Sequence, residues 1–171
     1  MKRVSASLGL VLCLLCGSAE LYAQSGDLAP IVNDLVGVTI TPPAGWEEFK
    51  VTGNDKSIAA FRHAESQSQI EIIATKLISA DVAQVYFDTF TQSLSSYEFQ
   101  EVAASTPVSF GSISGTQVEY EYNAGITKVR LVVVSFLQKD VAYLVVGYFG
   151  VPEREQYYPA LKTTIEKLVF N

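Results

Sequence analysis

The chain holds a single histidine, His63. That count excludes a multi-histidine zinc site and leaves His63 as the only imidazole base available. A hydrolytic triad would also need a serine on a strained strand-to-helix turn, and no Gly-x-Ser-x-Gly elbow occurs. Next to Ala64 and Glu65 in a polar stretch, His63 reads as a surface loop residue. Glu119 and Glu121 stand two apart and so share one face of a strand, and Glu71 could join them from a neighbouring strand. Three carboxylates of that kind are the raw material of a calcium or manganese site. Cation loops, however, draw several acids and carbonyls from one tight segment, and this spacing reads instead as a solvated polar face. No glycine-rich loop follows a strand and opens a helix, so no nucleotide cofactor is implied, and no metal or other cofactor is expected.

The remaining candidates are aromatic. Trp46 follows Pro43 and Gly45 and reads as a plug at the core edge, with an exposed partner anchor as the alternative. Most of the nine tyrosines and nine phenylalanines fall on apolar strand parities or helix stripes, as core filling requires. Tyr148, Tyr157 and Tyr158 depart from that pattern around the last turn. A binding surface is expected there, between that turn and the 43–46 loop.

The elements that must hold these residues follow from periodicity. Val38 and Ile40 alternate as in a half-buried strand, and the Pro-rich 41–45 segment breaks it. Trp46, Phe49 and Val51 suggest a second short strand, and residues 57–62 and 69–77 two more. Val82, Tyr86, Phe90, Leu94 and Tyr97 recur at helical spacing, with Ser79 placed to cap and Asp81 to favour the positive end of the dipole. Three strand-like runs follow at 99–104, 107–113 and 117–122. The last carries Val118, Tyr120 and Tyr122 on one face and Gln117, Glu119 and Glu121 on a face expected to be wet. Residues 127–137 and 141–149 are apolar at both parities, which places them at the sheet centre, covered on both sides. The second cover is a C-terminal helix with Tyr157, Leu161, Ile165 and Leu168 as its stripe. Pro152 suits its start, and Pro159 either kinks it or marks its true first turn. The expected fold is an α/β (α+β) sandwich of three layers, α/β/α, with a largely antiparallel central sheet.

The N-terminus has the three zones of a secretory signal peptide: Lys2 and Arg3, an apolar run over 8–15, and a small-residue end. The run is too short to span a bilayer, which takes about 20 apolar residues. Cleavage is expected after Ala23, with Ala19 as the alternative, because the latter lies almost against the apolar run. Residues 24–36 then read as a tether with a helical turn at 30–35, and 37–171 as a single domain. Both cysteines, Cys13 and Cys16, fall within the signal. Leu15 before Cys16 argues against lipid anchoring there, because that processing wants a small residue. The mature chain then lacks disulfides and thiolate sites and must be held by its core, which about 150 residues can supply. Its net charge, −6 for the whole chain, becomes one unit more negative once Lys2, Arg3 and Glu20 leave. An acidic surface without a basic run disfavours nucleic acid and anionic lipid.

This order of elements resembles the Mog1/PsbP-like fold over 38–170. The most specific local match is the opening strand into Pro-x-Gly-Trp, here Pro43-Ala44-Gly45-Trp46, and the tail adds an apolar strand pair, a turn with Tyr157 and Tyr158, and a helix through Ile165 and Leu168 to Phe170. The resemblance implies an exported accessory or binding protein, periplasmic or secreted, without a common catalytic set. It therefore favours a non-enzymatic module acting on a protein or envelope component. The alternative is a small-ligand or metal-binding protein, or a cryptic enzyme, using carboxylates and tyrosines such as Glu71, Glu119 and Glu121.

Overall fold

The structure, a computed structural model, describes residues 28–171. The expected signal peptide with its Ala19 or Ala23 cleavage point, Cys16, and the first residues of the expected tether lie outside the described residues. A seven-stranded sheet forms the middle layer. Its strands are β3 (Glu47–Glu48), β4 (Ser57–Arg62), β5 (Gln69–Lys76), β6 (Gln100–Phe110), β7 (Ile113–Ala124), β8 (Thr127–Gln138) and β9 (Val141–Gly150), in the spatial order β3-β4-β5-β9-β8-β7-β6. Every pairing is antiparallel. The doubly apolar strands β9 and β8 take central places, as expected.

Strand parity divides the core in two. Val132, Val134 and Phe136 of β8, with Tyr143, Val145 and Phe149 of β9, face one way. They pack under helix α2 (Arg154–Glu166) and a small sheet of β1 (Ile31–Asn33), β2 (Val38–Ile40) and β10 (Val169–Phe170). Leu131, Val133, Leu144 and Val146 face the other way and pack under helix α1 (Ala83–Ser96) through Phe90 and Leu94. Each such fully buried side chain contributes roughly 2 kcal/mol. The three layers expected from the sequence are thus present, with one addition. Residues 31–33, expected in a tether with a helical turn, form a strand paired with β2: Ile31 lies opposite Ile40 and packs on the α2-side core. The hydroxyl of Tyr143 donates to the Val36 carbonyl at 3.0 Å and ties the β1–β2 turn to the main sheet.

Other local expectations need correction. The three runs between 99 and 122 are two long strands: the gap before Pro107 closes, because β6 is an edge strand and tolerates proline, and the turn falls at Gly111-Ser112, inside the expected 107–113 run. Two register shifts in β6 absorb the mismatch that the sequence reading took for a break. The second short strand shrinks to Glu47–Glu48. Trp46 instead closes a turn, its N–H bonded to the Pro43 carbonyl at 3.2 Å and Gly45 at φ +78°, a position that glycine fills without strain. Tyr97 leaves the α1 stripe and is 38% exposed, while Ala83 joins it. Ser79 does cap, accepting from the Asp81 N–H, although the turn it caps is the 3-10 turn Ala80–Val82 that leads into α1. Pro159 is neither at the start of α2 nor near it: Pro152 belongs to the preceding 3-10 turn, and Pro159 is the sixth residue of the helix.

Candidate functional site

The candidate carboxylates are divided between the two faces of the sheet. Glu119 and Glu121 point to the α2 side, and that face is not wet. The two-residue turn Gly125-Ile126 sets the β7–β8 register so that Glu121 lies opposite Arg130. Arg130 then spans both acids, donating Nη1 to Glu119 at 2.9 Å and Nη2 to Glu121 at 2.6 Å. Arg154, in the first turn of α2, donates to the other oxygen of Glu119 and to Glu155. Its guanidinium also lies 4.2 Å from the Tyr158 ring centroid, and the Tyr158 hydroxyl donates to Gln117 at 2.7 Å. Burial by itself would raise the Glu119 pKa, but Arg154 and Arg130 outweigh it, and the carboxyl is held below its ordinary range. With two arginines and the Gln117 amide on it, Glu119 is a fastener between sheet and helix. Among the described residues no group of three or more metal-ligating side chains converges.

Glu71 lies on the opposite face, under the α1 side, and no cation pairs with it among the described residues. It is 6% exposed and accepts from Asn54 at 2.9 Å, from Ser57 and from the Tyr148 hydroxyl. Burial raises its pKa, the three hydrogen bonds opposing this in part. Burial also raises the pKa of Tyr148, and the neighbouring Glu71 carboxylate adds to the effect. Through Asn54, which accepts from the Lys56 N–H, the carboxyl pins the 53–57 turn onto β5. Glu71 therefore joins neither Glu119 nor Glu121.

The aromatic expectation divides as well. Tyr148 points to the α1 side and is separated by the sheet from Tyr157 and Tyr158. Trp46 and Tyr157 do meet, with ring centroids 5.9 Å apart, and the third ring of the group is His63. His63 lies 5.7 Å from Trp46 and 4.7 Å from Tyr157. It is half-buried, its Nδ1 enclosed without a hydrogen-bond partner among the described residues, so it is an edge of the core as much as a loop residue. Trp46 itself is 6% exposed, the core plug of the two readings. What reaches the surface there is the half-buried pair His63 and Tyr157, while Tyr158 turns away from it to Gln117 of β7.

Sequence reasoning missed the two arginines. The signal was available for Arg130, because a glycine-centred two-residue hairpin between 124 and 127 sets it against Glu121. For Arg154 there was none, since its contact depends on how the helix lies across the sheet. No helix among the described residues is long and apolar enough to cross a membrane.

No family model matches the chain, and no curated protein matches it significantly. Solved structures do. The cyanobacterial PsbP protein CyanoP from Synechocystis sp. PCC 6803 superposes with a TM-score of 0.58 at 12% identity, over 92% of this chain and 98% of that one. LpqN of Mycobacterium tuberculosis, described as involved in cell envelope biogenesis, gives 0.54 at 13% identity over 84% and 90%. A protein from Bacteroides thetaiotaomicron VPI-5482 gives 0.61 at 13% identity over 85% of this chain, which spans about half, 49%, of that longer protein. These likenesses show the PsbP/Mog1-like fold.

Proposed function

We propose that this chain is an exported accessory or binding module that acts through its surface on a protein or envelope component. One observation carries the reading: the groups best suited to acid-base work are already committed to holding the fold. Glu119 and Glu121 are paired with arginines, Glu71 with Asn54, Ser57 and Tyr148, and the His63 ring with Trp46 and Tyr157. The side chains left facing outward at the start of α2 are half-buried rings, of the type that anchors protein contacts. The fold shared with CyanoP and with LpqN, itself described as an envelope biogenesis protein, supports the same reading.

The contact surface is Tyr157 with His63, seated on Trp46; Tyr148, across the sheet, and Tyr158, turned to Gln117, are not part of it. The chain works outside the cytoplasm, in the periplasm or secreted, after cleavage following Ala23 and without a lipid on Cys16. An intact mass that begins at Gln24 is expected for the purified native protein, and an added acyl mass would refute that location. A crosslinking pull-down with the tagged chain, from the envelope fraction of its own source, should recover a stoichiometric protein partner. Recovery of none, together with turnover of a substrate by the purified chain, would overturn the proposal.

A further inference from the structure

We infer that β6 carries a guard on the long free edge of the sheet: Pro107 and two bulges keep that edge from pairing with a strand of a second copy. The two edges of the sheet differ in length. β3 ends it with two residues, whereas β6 ends it with eleven and pairs on its outer side with no strand among the described residues. Residues 100–107 are exposed without a break, so both faces of that stretch are open as well as its edge. The run, Gln-Glu-Val-Ala-Ala-Ser-Thr-Pro, carries one charge, on Glu101. An edge that is long, open and nearly uncharged is a template for a further strand.

Register shows how the template is blocked. β6 and β7 are joined by the two-residue turn Gly111-Ser112, with Gly111 at φ +58°, and Phe110 lies opposite Ile113. The pair flanking such a turn exchanges its N–H and carbonyl groups, and the exchange then recurs at every second pair. Val108 opposite Gly115 is therefore a bonded pair, while Ser109 and Pro107, opposite Ser114 and Thr116, turn their backbone groups to the free edge. Pro107 thus stands where an N–H would be offered to an incoming strand, and it has none. The ring carbon on its nitrogen occupies that place instead.

The bulges guard the rest of the strand. Glu101 lies opposite Tyr120 and Ala103 opposite Glu119, so Val102 is an extra residue. Between Ala103 and Thr106 stand Ala104 and Ser105, where β7 has only Val118. Each extra residue interrupts the two-residue repeat of outward donors and acceptors and bends the strand. A second copy meeting this edge would find its bonds out of step over 101–106 and missing at 107. Strand addition is thereby closed at β6, and a partner is left to side-chain contacts.

The test removes the guard in steps and follows association by sedimentation velocity over a roughly hundred-fold range of protein concentration, since self-association depends on concentration. The parent mature chain should stay monomeric. Deleting Val102 and Ala104 puts β6 in continuous register with β7, and Pro107→Val in that background restores the outward N–H. With both changes the chain should self-associate about ten-fold or more tightly than with the deletions alone, because each copy of a two-fold pair gains a hydrogen bond. The amides of 101, 105, 107 and 109 should then gain protection from hydrogen exchange. Pro107→Val in the chain that keeps its bulges should act in the same direction, and it serves if the deletions prevent folding. Ser109→Pro should lower Tm far less than Val108→Pro, because only the second removes a bond to β7. A parent chain that already associates through 101–109, or association unchanged by Pro107→Val, overturns the proposal. So does association without protection of those amides, or Ser109→Pro as damaging as Val108→Pro.

Discussion

Glu71 and Glu119 are both buried carboxyls, and burial alone raises the pKa of each. The neighbours decide the outcome. Glu119 has two guanidinium groups and ends below its ordinary value, whereas Glu71 has only neutral donors and ends above it. Their effects on stability with pH are therefore opposite. A carboxyl lowered in the folded state stabilises above its unfolded pKa and loses that contribution as pH falls through the folded value. Glu119→Gln should cost about 2 kcal/mol at neutral pH, because Arg154 loses its buried partner, and the deficit should shrink in acid. A carboxyl raised in the folded state gives a contribution that is complete below its unfolded pKa and is lost as pH rises through the folded one. Glu71→Gln should thus gain on the parent as pH rises from the ordinary glutamate range towards neutrality. Urea unfolding of the three proteins across pH 3 to 8, roughly the span over which these carboxyls titrate, measures both differences. A Glu71→Gln deficit that grew with pH would show that Glu71 titrates in the opposite direction.

Among the elements, those with a strong period were readable and those fixed by register or crossing were not. The β8–β9 pair and both helices follow from apolar spacing alone. Pro107 misled because proline in a strand reads as a break, and only the tertiary fact that β6 is an edge makes it harmless. The polar parity of β7 misled in the same way: Gln117, Glu119 and Glu121 look solvated until α2 brings Arg154 across them. β1 was missed because three residues are too few for a period, and its place depends on β2 and on the Tyr143 anchor. Pro159 in α2 is a remaining conflict between sequence and element. It has no N–H to offer the Glu155 carbonyl, the acceptor four residues back, and it lies exposed. Pro159→Ala should accordingly stabilise by about 1 kcal/mol or more, read as a rise in urea midpoint with unchanged slope. A fall would mean that the ring fixes the direction of the helix across the sheet.

For the molecule as a whole, the three-layer arrangement was legible and the site was legible only in part. Trp46 and Tyr157 meet as the sequence suggests, but Tyr148 falls on the wrong side of the sheet, since the parity of β9 sets its direction and proximity in sequence does not. His63 joins the rings because β4 ends beside Trp46, a tertiary fact with no local signal. The same two-sidedness leaves the aromatic group at the start of α2 on the face opposite α1. The account stands on that group being a docking surface for a protein. Its most direct test places a photo-crosslinking amino acid at Tyr157 and, as a control, at Val85 on the exposed side of α1, and irradiates each in the chain's own envelope. The account predicts one discrete adduct of defined mass from position 157 and none from 85. Equal labelling at both positions, or at neither, would contradict it.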